Sequence, residues 1–221
     1  MSERTALVTL YRELAAHRLN NGSSGNVSLR MGDDMLISPS GATAETLTED
    51  QLVRLPVTGP PLPGTVPSSE WALHAAVFAA CPEAACVVHT HSDACTALSC
   101  LGEPLPPFHY MVLGFGGHDV PCAPYATFGT QELADAVRDT IPGYKACLLA
   151  NHGMICHGTS TESALAAAIR LETLARQYLM ARAAGQPKLL DAEALRQARQ
   201  RYQSYGKPYV APAAKGSAEM P

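Results

Sequence analysis

The sequence predicts a single α/β domain, a central sheet flanked by helices, and three observations carry that expectation. Apolar residues recur at helical spacing near the start of the chain and again over 161–184, while short runs such as 27–31 and 146–150 alternate or are wholly apolar in the manner of strands. Stretches rich in glycine and proline fall between these runs and mark turns. With 221 residues, 47% of them hydrophobic, the chain can build one sizeable core, and the usual domain size of about 100–200 residues leaves little room for a second. The domain is expected over residues 1–207, with 208–221 as a loose tail.

Each element follows from its local pattern. Leu7, Leu10, Tyr11, Leu14 and Ala15 make the apolar stripe of an opening helix, which Asn20-Asn21-Gly22 is expected to end because these residues tolerate the left-handed cap. Residues 27–31 read as a strand after the turn Ser23-Ser24-Gly25-Asn26, and 35–37 as a second before Ser38-Pro39-Ser40-Gly41. Each turn reads either as a tight connection or as backbone that approaches a ligand. Residues 55–67 form a surface excursion, after which a helix runs from Ser69 to about Ala80 and a strand spans 85–91. Residues 92–101 suit a packed helix that Pro104 to Pro107 breaks, and Thr130 caps a helix reaching about Thr140 after the loop 121–130. A strand over 146–150 meets the break Asn151-His152-Gly153 before Met154-Ile155-Cys156. The longest helix is 161–184, its apolar face built on Leu165, Ile169, Leu174, Tyr178 and Leu179, and Asp191 caps a last helix toward Tyr202.

Composition removes several classes of function. A formal net charge of −4 and a pI near 6.0 offer no broad basic surface, so nucleic acid is not an expected partner. Seven cysteines, an odd number with no Cys-x-x-Cys pair, make neither a zinc ribbon nor a redox motif and fit a reducing, cytoplasmic setting. The opening segment mixes charge with apolar residues and lacks the core of a signal peptide, and no run approaches the ~20 apolar residues of a membrane span.

The chemistry concentrates between Pro67 and His91. His89 and His91 stand one residue apart at the end of an apolar strand, so both imidazoles point to one face and suit a divalent metal of the zinc type. His152, in Asn151-His152-Gly153, is the best candidate for a third ligand. Upstream, Ser68-Ser69-Glu70 opens a helix. Its hydroxyls and free N–H groups suit an anion, and a carboxylate in the first turn suits a metal, although capping alone also accounts for these residues. His74, four residues after Glu70, reads as a packed histidine.

Taken together, Pro67-Ser68-Ser69-Glu70-Trp71, His89-Thr90-His91, His109-Tyr110-Met111, the run 121–130 and Asn151-His152-Gly153 resemble the class II aldolase/adducin family over nearly the whole chain, about 7–206. The resemblance implies a mainly antiparallel sheet and a zinc ion, one per subunit, held by His89, His91, His152 and Glu70. It implies a lyase acting on a phosphorylated sugar, a ketose 1-phosphate of the L-fuculose 1-phosphate kind, giving dihydroxyacetone phosphate and a small aldehyde such as lactaldehyde. It transfers phosphate binding to Gly25, Asn26, Ser40, Gly41, Ser68 and Ser69, with Ser23 and Ser40 standing where the family's aldolases carry threonine. Glu70 becomes the acid/base and Tyr110 a proton donor reaching a neighbouring subunit's metal. Phe128 and Tyr205 line the aldehyde end, and the assembly is expected to be a homotetramer with sites at subunit interfaces.

The same superfamily holds a ribulose-phosphate 4-epimerase, a methylthioribulose-phosphate dehydratase and a sugar-acid-phosphate decarboxylase, as well as adducin-like interaction domains without metal. An epimerase is expected to show Asp at position 70. Retention of His89, His91, His152 and Glu70 speaks against a non-catalytic domain.

Overall fold

A seven-stranded sheet forms the middle layer of the computed structural model, which describes residues 1–204. In chain order the elements are α1 (Glu3–Ala16), β1 (Asn26–Met31), β2 (Asp34–Ile37), β3 (Val53–Pro56), α2 (Trp71–Ala80), β4 (Cys86–Thr90), α3 (Asp93–Ser99), β5 (Cys122–Ala123), α4 (Gln131–Thr140), β6 (Ala146–Leu149), β7 (Gly153–Gly158), α5 (Thr161–Ala184) and α6 (Ala192–Ser204). The strand order is β3-β2-β1-β4-β7-β6-β5, antiparallel throughout except for the parallel pair β5–β6. The α/β, mainly antiparallel architecture is therefore the one expected. Tyr205 and the expected tail at 208–221 lie outside the described residues.

The period-two alternation of the strands divides the core. On one face Val27, Cys86, Val88, Met154 and Cys156 pack with α1, α3 and α5, and on the other Met35, Ile37, Val87, Cys147 and Ile155 pack with α2 and α4. Because β4 is the middle strand, a side chain at its end is enclosed by neighbours on both sides: Asn26 of β1 pairs with His89, and Ile155 of β7 pairs with it from the other side.

Several local expectations need correction. The first helix ends at Ala16, not at Asn20-Asn21-Gly22. Arg18 takes the left-handed conformation (φ 58°), and the amides of Arg18 and Leu19 donate to Ala15 O and Leu14 O at 2.9 and 2.8 Å. This double bond pattern satisfies the last carbonyls and buries Leu19, a gain that outweighs the cost of a left-handed arginine. The buried face of α5 is Ala164, Ala168, Leu171, Leu174, Ala175 and Tyr178, with Leu165, Ile169 and Leu179 only at its margin, because small residues let the long helix lie close to the sheet. Within the loop 121–130, residues Cys122 and Ala123 form an edge strand too short to leave a periodic signal.

Candidate metal centre

The site is assembled where the middle strand stops. His89 lies fully buried in β4, and His91 falls just past the strand's end, so both rings turn the same way with their Nε2 atoms 3.0 Å apart. His152 comes from the tight turn between β6 and β7, where Asn151 takes a left-handed φ of 55° and the His152 amide donates to Leu149 O at 3.0 Å. Gly153 is required beside it: a Cβ there would lie 2.4 Å from Thr90 O, so only glycine lets the hairpin close on the end of β4. The three rings form a near-symmetric propeller, with centroids 4.7, 4.8 and 4.9 Å apart.

Glu70 closes the cluster from the start of α2. The helix begins at Trp71 rather than Ser69, which makes Glu70 its N-cap and not a first-turn carboxylate, and the side chain makes no capping bond. Ser68 shapes the turn instead, its Oγ accepting from the Glu70 amide at 3.2 Å. Freed from capping, Glu70 places Oε2 3.2 Å from His89 Nε2 and Oε1 3.4 Å from His152 Nε2, and Oε2 accepts from Asn26 Nδ2 at 2.9 Å. Oε1 is buried without a hydrogen-bond partner.

The electrostatics favour ligation. Burial pushes the Glu70 carboxyl up, but His89, the Asn26 amide and His152 outweigh it and hold the group well below the usual carboxylate range. Burial, with His89 adding to it, lowers His152 to about 4 and also lowers His91. At neutral pH both rings are neutral, the form that offers a nitrogen lone pair. His89 donates from Nδ1 to Met154 O at 2.9 Å, which fixes the tautomer and leaves Nε2 free to ligate. A tetrahedral shell with bonds of about 2.0–2.2 Å needs donors about 3.3–3.6 Å apart, close to the 3.2 and 3.4 Å from Glu70 to His89 and His152 and a little wider than the 3.0 Å between His89 and His91. The residues present therefore fit a divalent ion of the zinc kind, and the orphaned Oε1 is the atom that such an ion would satisfy.

A pocket of about 290 Å³ opens onto the cluster, lined by Glu70, His91, Asn151 and His152 together with Tyr125, Ala126 and Phe128. Phe128, expected at the aldehyde end, is one of the residues lining this pocket. Tyr125 and Ala126 line the same pocket without having been singled out, because a loop side chain leaves no periodic trace of where it points.

The expected anion-binding turns converge. Val27 and Ser38 exchange hydrogen bonds, the Ser68 amide donates to Ser38 O at 3.0 Å, and the Ser69 amide donates to Ser40 Oγ at 3.0 Å. Gly25 (φ 76°) packs so tightly that a Cβ would lie 2.7 Å from His89 O. Not all expected donors face outward: the Ser40 hydroxyl donates to Pro67 O at 3.0 Å, and Asn26, 6% exposed, directs its amide to Glu70. Gly41 is left-handed at the exposed tip of its turn.

Tyr110 is not brought to the histidines of its own chain. It is half exposed, stacks on His109 at 4.7 Å, and borders a separate groove with Met111, Arg170 and Tyr202. A second donor cluster, Cys81, Glu83 and His157, lies elsewhere. There the His157 Nε2–H is committed to Tyr144 O at 3.1 Å, and burial pushes the Cys81 thiol up to about 11, so the group reads as packing.

The Class II Aldolase and Adducin N-terminal domain model matches residues 5–179. The chain is 40% identical over 203 residues to the 5-methylthioribulose-1-phosphate/5-deoxyribulose-1-phosphate aldolase of Rhodospirillum rubrum, covering 92% of each protein. It is 42% identical over 195 residues to L-fuculose phosphate aldolase of Escherichia coli, covering 88% of this chain and 91% of that one. A solved structure of an L-fuculose 1-phosphate aldolase superposes with a TM-score of 0.85 at 31% identity, over 92% of this chain and 98% of the other.

Proposed function

The chain belongs to the class II aldolase and adducin family, and from that premise we propose that it is a zinc-dependent aldolase that reversibly cleaves a ketose 1-phosphate to dihydroxyacetone phosphate and a short aldehyde. The observation that carries the proposal is Glu70: a buried carboxylate between three imidazoles, facing a pocket, with one oxygen unpartnered. A bound divalent ion would supply Lewis-acid chemistry, drawing off the negative charge that develops on substrate oxygens as the C3–C4 bond breaks.

The chain's own groups do the rest. Gly25, Asn26, Ser40, Gly41, Ser68 and Ser69 hold the phosphate end on converging turns that need no lysine. In the direction of synthesis the Glu70 carboxylate removes a proton from C3 of dihydroxyacetone phosphate, and Tyr110 of a neighbouring subunit donates a proton to the aldehyde oxygen as the C3–C4 bond forms; cleavage runs the same transfers in reverse. The exposure of Tyr110 away from its own chain's pocket supports a homotetramer with sites at subunit interfaces. A cytoplasmic location, where the seven free thiols persist, completes the proposal.

Tyr125, Ala126 and Phe128 give the aldehyde end an apolar lining, which favours tails ending in methyl or thioether groups. L-Fuculose 1-phosphate and a 5-deoxypentulose 1-phosphate both meet that requirement, and the activities for which the two relatives are named support one each. The deciding experiment is a coupled assay for dihydroxyacetone phosphate over a panel of phosphorylated ketoses, with and without chelator. Cleavage of methyl-terminated ketose 1-phosphates that chelator abolishes and zinc restores is expected. Epimerisation without release of dihydroxyacetone phosphate would overturn the reading.

A further inference from the structure

His74, on α2, is buried completely, on the side of the sheet where Val87, Phe78 and Met35 form the apolar cluster. An imidazole there costs desolvation that leucine would avoid, unless both nitrogens are satisfied. Both are: Nδ1 lies 2.7 Å from Ser28 Oγ, and Nε2 is hydrogen-bonded to Asn26 Oδ1. Asn26 then spans the gap to Glu70 Oε2 through Nδ2 at 2.9 Å.

The chain of bonds has only one sense. An ionised carboxylate accepts and never donates, so the Asn26 atom facing Glu70 must be the N–H group, which turns Oδ1 toward the histidine. His74 must therefore carry its proton on Nε2, and the Ser28 hydroxyl donates to Nδ1. Remove His74 and Asn26 loses the partner that keeps its amide from flipping. A flipped amide would present Oδ1 to the carboxylate, replacing a hydrogen bond with repulsion.

We propose that His74 is a positioning residue that locks the Asn26 amide and thereby holds Glu70 in place beside His89 and His152. The inference rests on the reading of this cluster as the metal-dependent aldolase site. It gives a role to a histidine that sits four residues after Glu70 yet touches neither the pocket nor the other histidines.

The test uses zinc affinity of the apoprotein, measured by calorimetry, alongside kcat and KM of the zinc-loaded enzyme. His74→Met removes the hydrogen bonds, and His74→Gln, of similar length, restores a donor where Nε2–H stood. His74→Met is expected to weaken zinc binding by about tenfold, the lower end of what outer partners of metal ligands contribute, and to lower kcat more than it raises KM. His74→Gln is expected to recover most of both. In the Asn26→Ala background, His74→Met should add little, because its effect travels through Asn26. Equal zinc affinity and kcat in wild type and a folded His74→Met, or additive losses with Asn26→Ala, would overturn the positioning role. If His74→Met does not fold, His74→Asn replaces it: the shorter amide reaches Ser28 but not Asn26, and unchanged zinc affinity would be equally fatal. Wild-type protein that shows the His74 dependence in zinc binding yet cleaves no ketose phosphate refutes the proposed function alone.

Discussion

Two glutamates are buried among the described residues, one on each face of the sheet, and they are satisfied differently. Glu172 on α5 is 4% exposed, and its oxygens accept from the amides of Ala94 and Cys95 at 3.0 and 2.9 Å, with Arg176 at 3.2 Å. It supplies the acceptors that the first turn of α3 needs. Glu70 is 6% exposed and has one oxygen held by Asn26 while the other has no hydrogen bond. A carboxylate surrounded by backbone donors closes the fold. One left partly bare beside three imidazoles marks a place where something else binds.

The sharpest way to break this comparison is to neutralise each in turn. Glu70→Gln is expected to lower kcat by about 10²- to 10⁴-fold, since the amide cannot carry the C3 proton, with the melting temperature little changed. Solvent deuterium exchange at C3 of dihydroxyacetone phosphate checks this, and near-normal exchange would remove Glu70 from the role. Next in size is the metal: zinc at 100 times its dissociation constant should stabilise the wild type by about 2.7 kcal/mol, read as a rise in melting temperature. That rise should vanish in His89→Ala. A His89→Ala protein that keeps stoichiometric zinc would place the metal elsewhere.

Glu172→Ala should give the opposite profile. Leaving the two amides without their acceptor costs about 1–3 kcal/mol, or roughly 2–4 °C in melting temperature per kcal/mol for a chain of this size, with kcat per folded enzyme near wild type. The smallest effect is on acid stability. Burial pushes the Glu172 carboxyl up, but the Ala94 and Cys95 amides, Ser92 and Arg176 bring it below its ordinary value. A folded pKa lower than the unfolded value of about 4.3 contributes stability that is present above that pH and lost as pH falls through the folded pKa. Glu172→Gln should therefore show a flatter loss of stability below about pH 4.3 than wild type. An unchanged slope in denaturation curves over that window would mean that Glu172 is not held as described.

What the sequence determined by itself was the set of elements and the identity of the donors. Helical and strand periodicities placed α5, β1, β4 and β6 within a residue or two, because burial on one face imposes a pattern that any reader of the chain can see. His89 and His91 were legible for the same reason: a two-residue repeat at a strand end has one geometric meaning. Local pattern fails where a conformation is chosen by distant partners. Arg18 and not Gly22 ends α1, since burying Leu19 decides the cap, and the Glu70 side chain turns from its helix to accept from Asn26, beside histidines from two other segments. His74 looked like packing, and in the core it is packed, yet its two nitrogens meet Ser28 and Asn26, residues 46 and 48 positions away. Hydrogen-bond direction is set by who faces whom across the layer between α2 and the sheet, and only the tertiary structure brings those partners together.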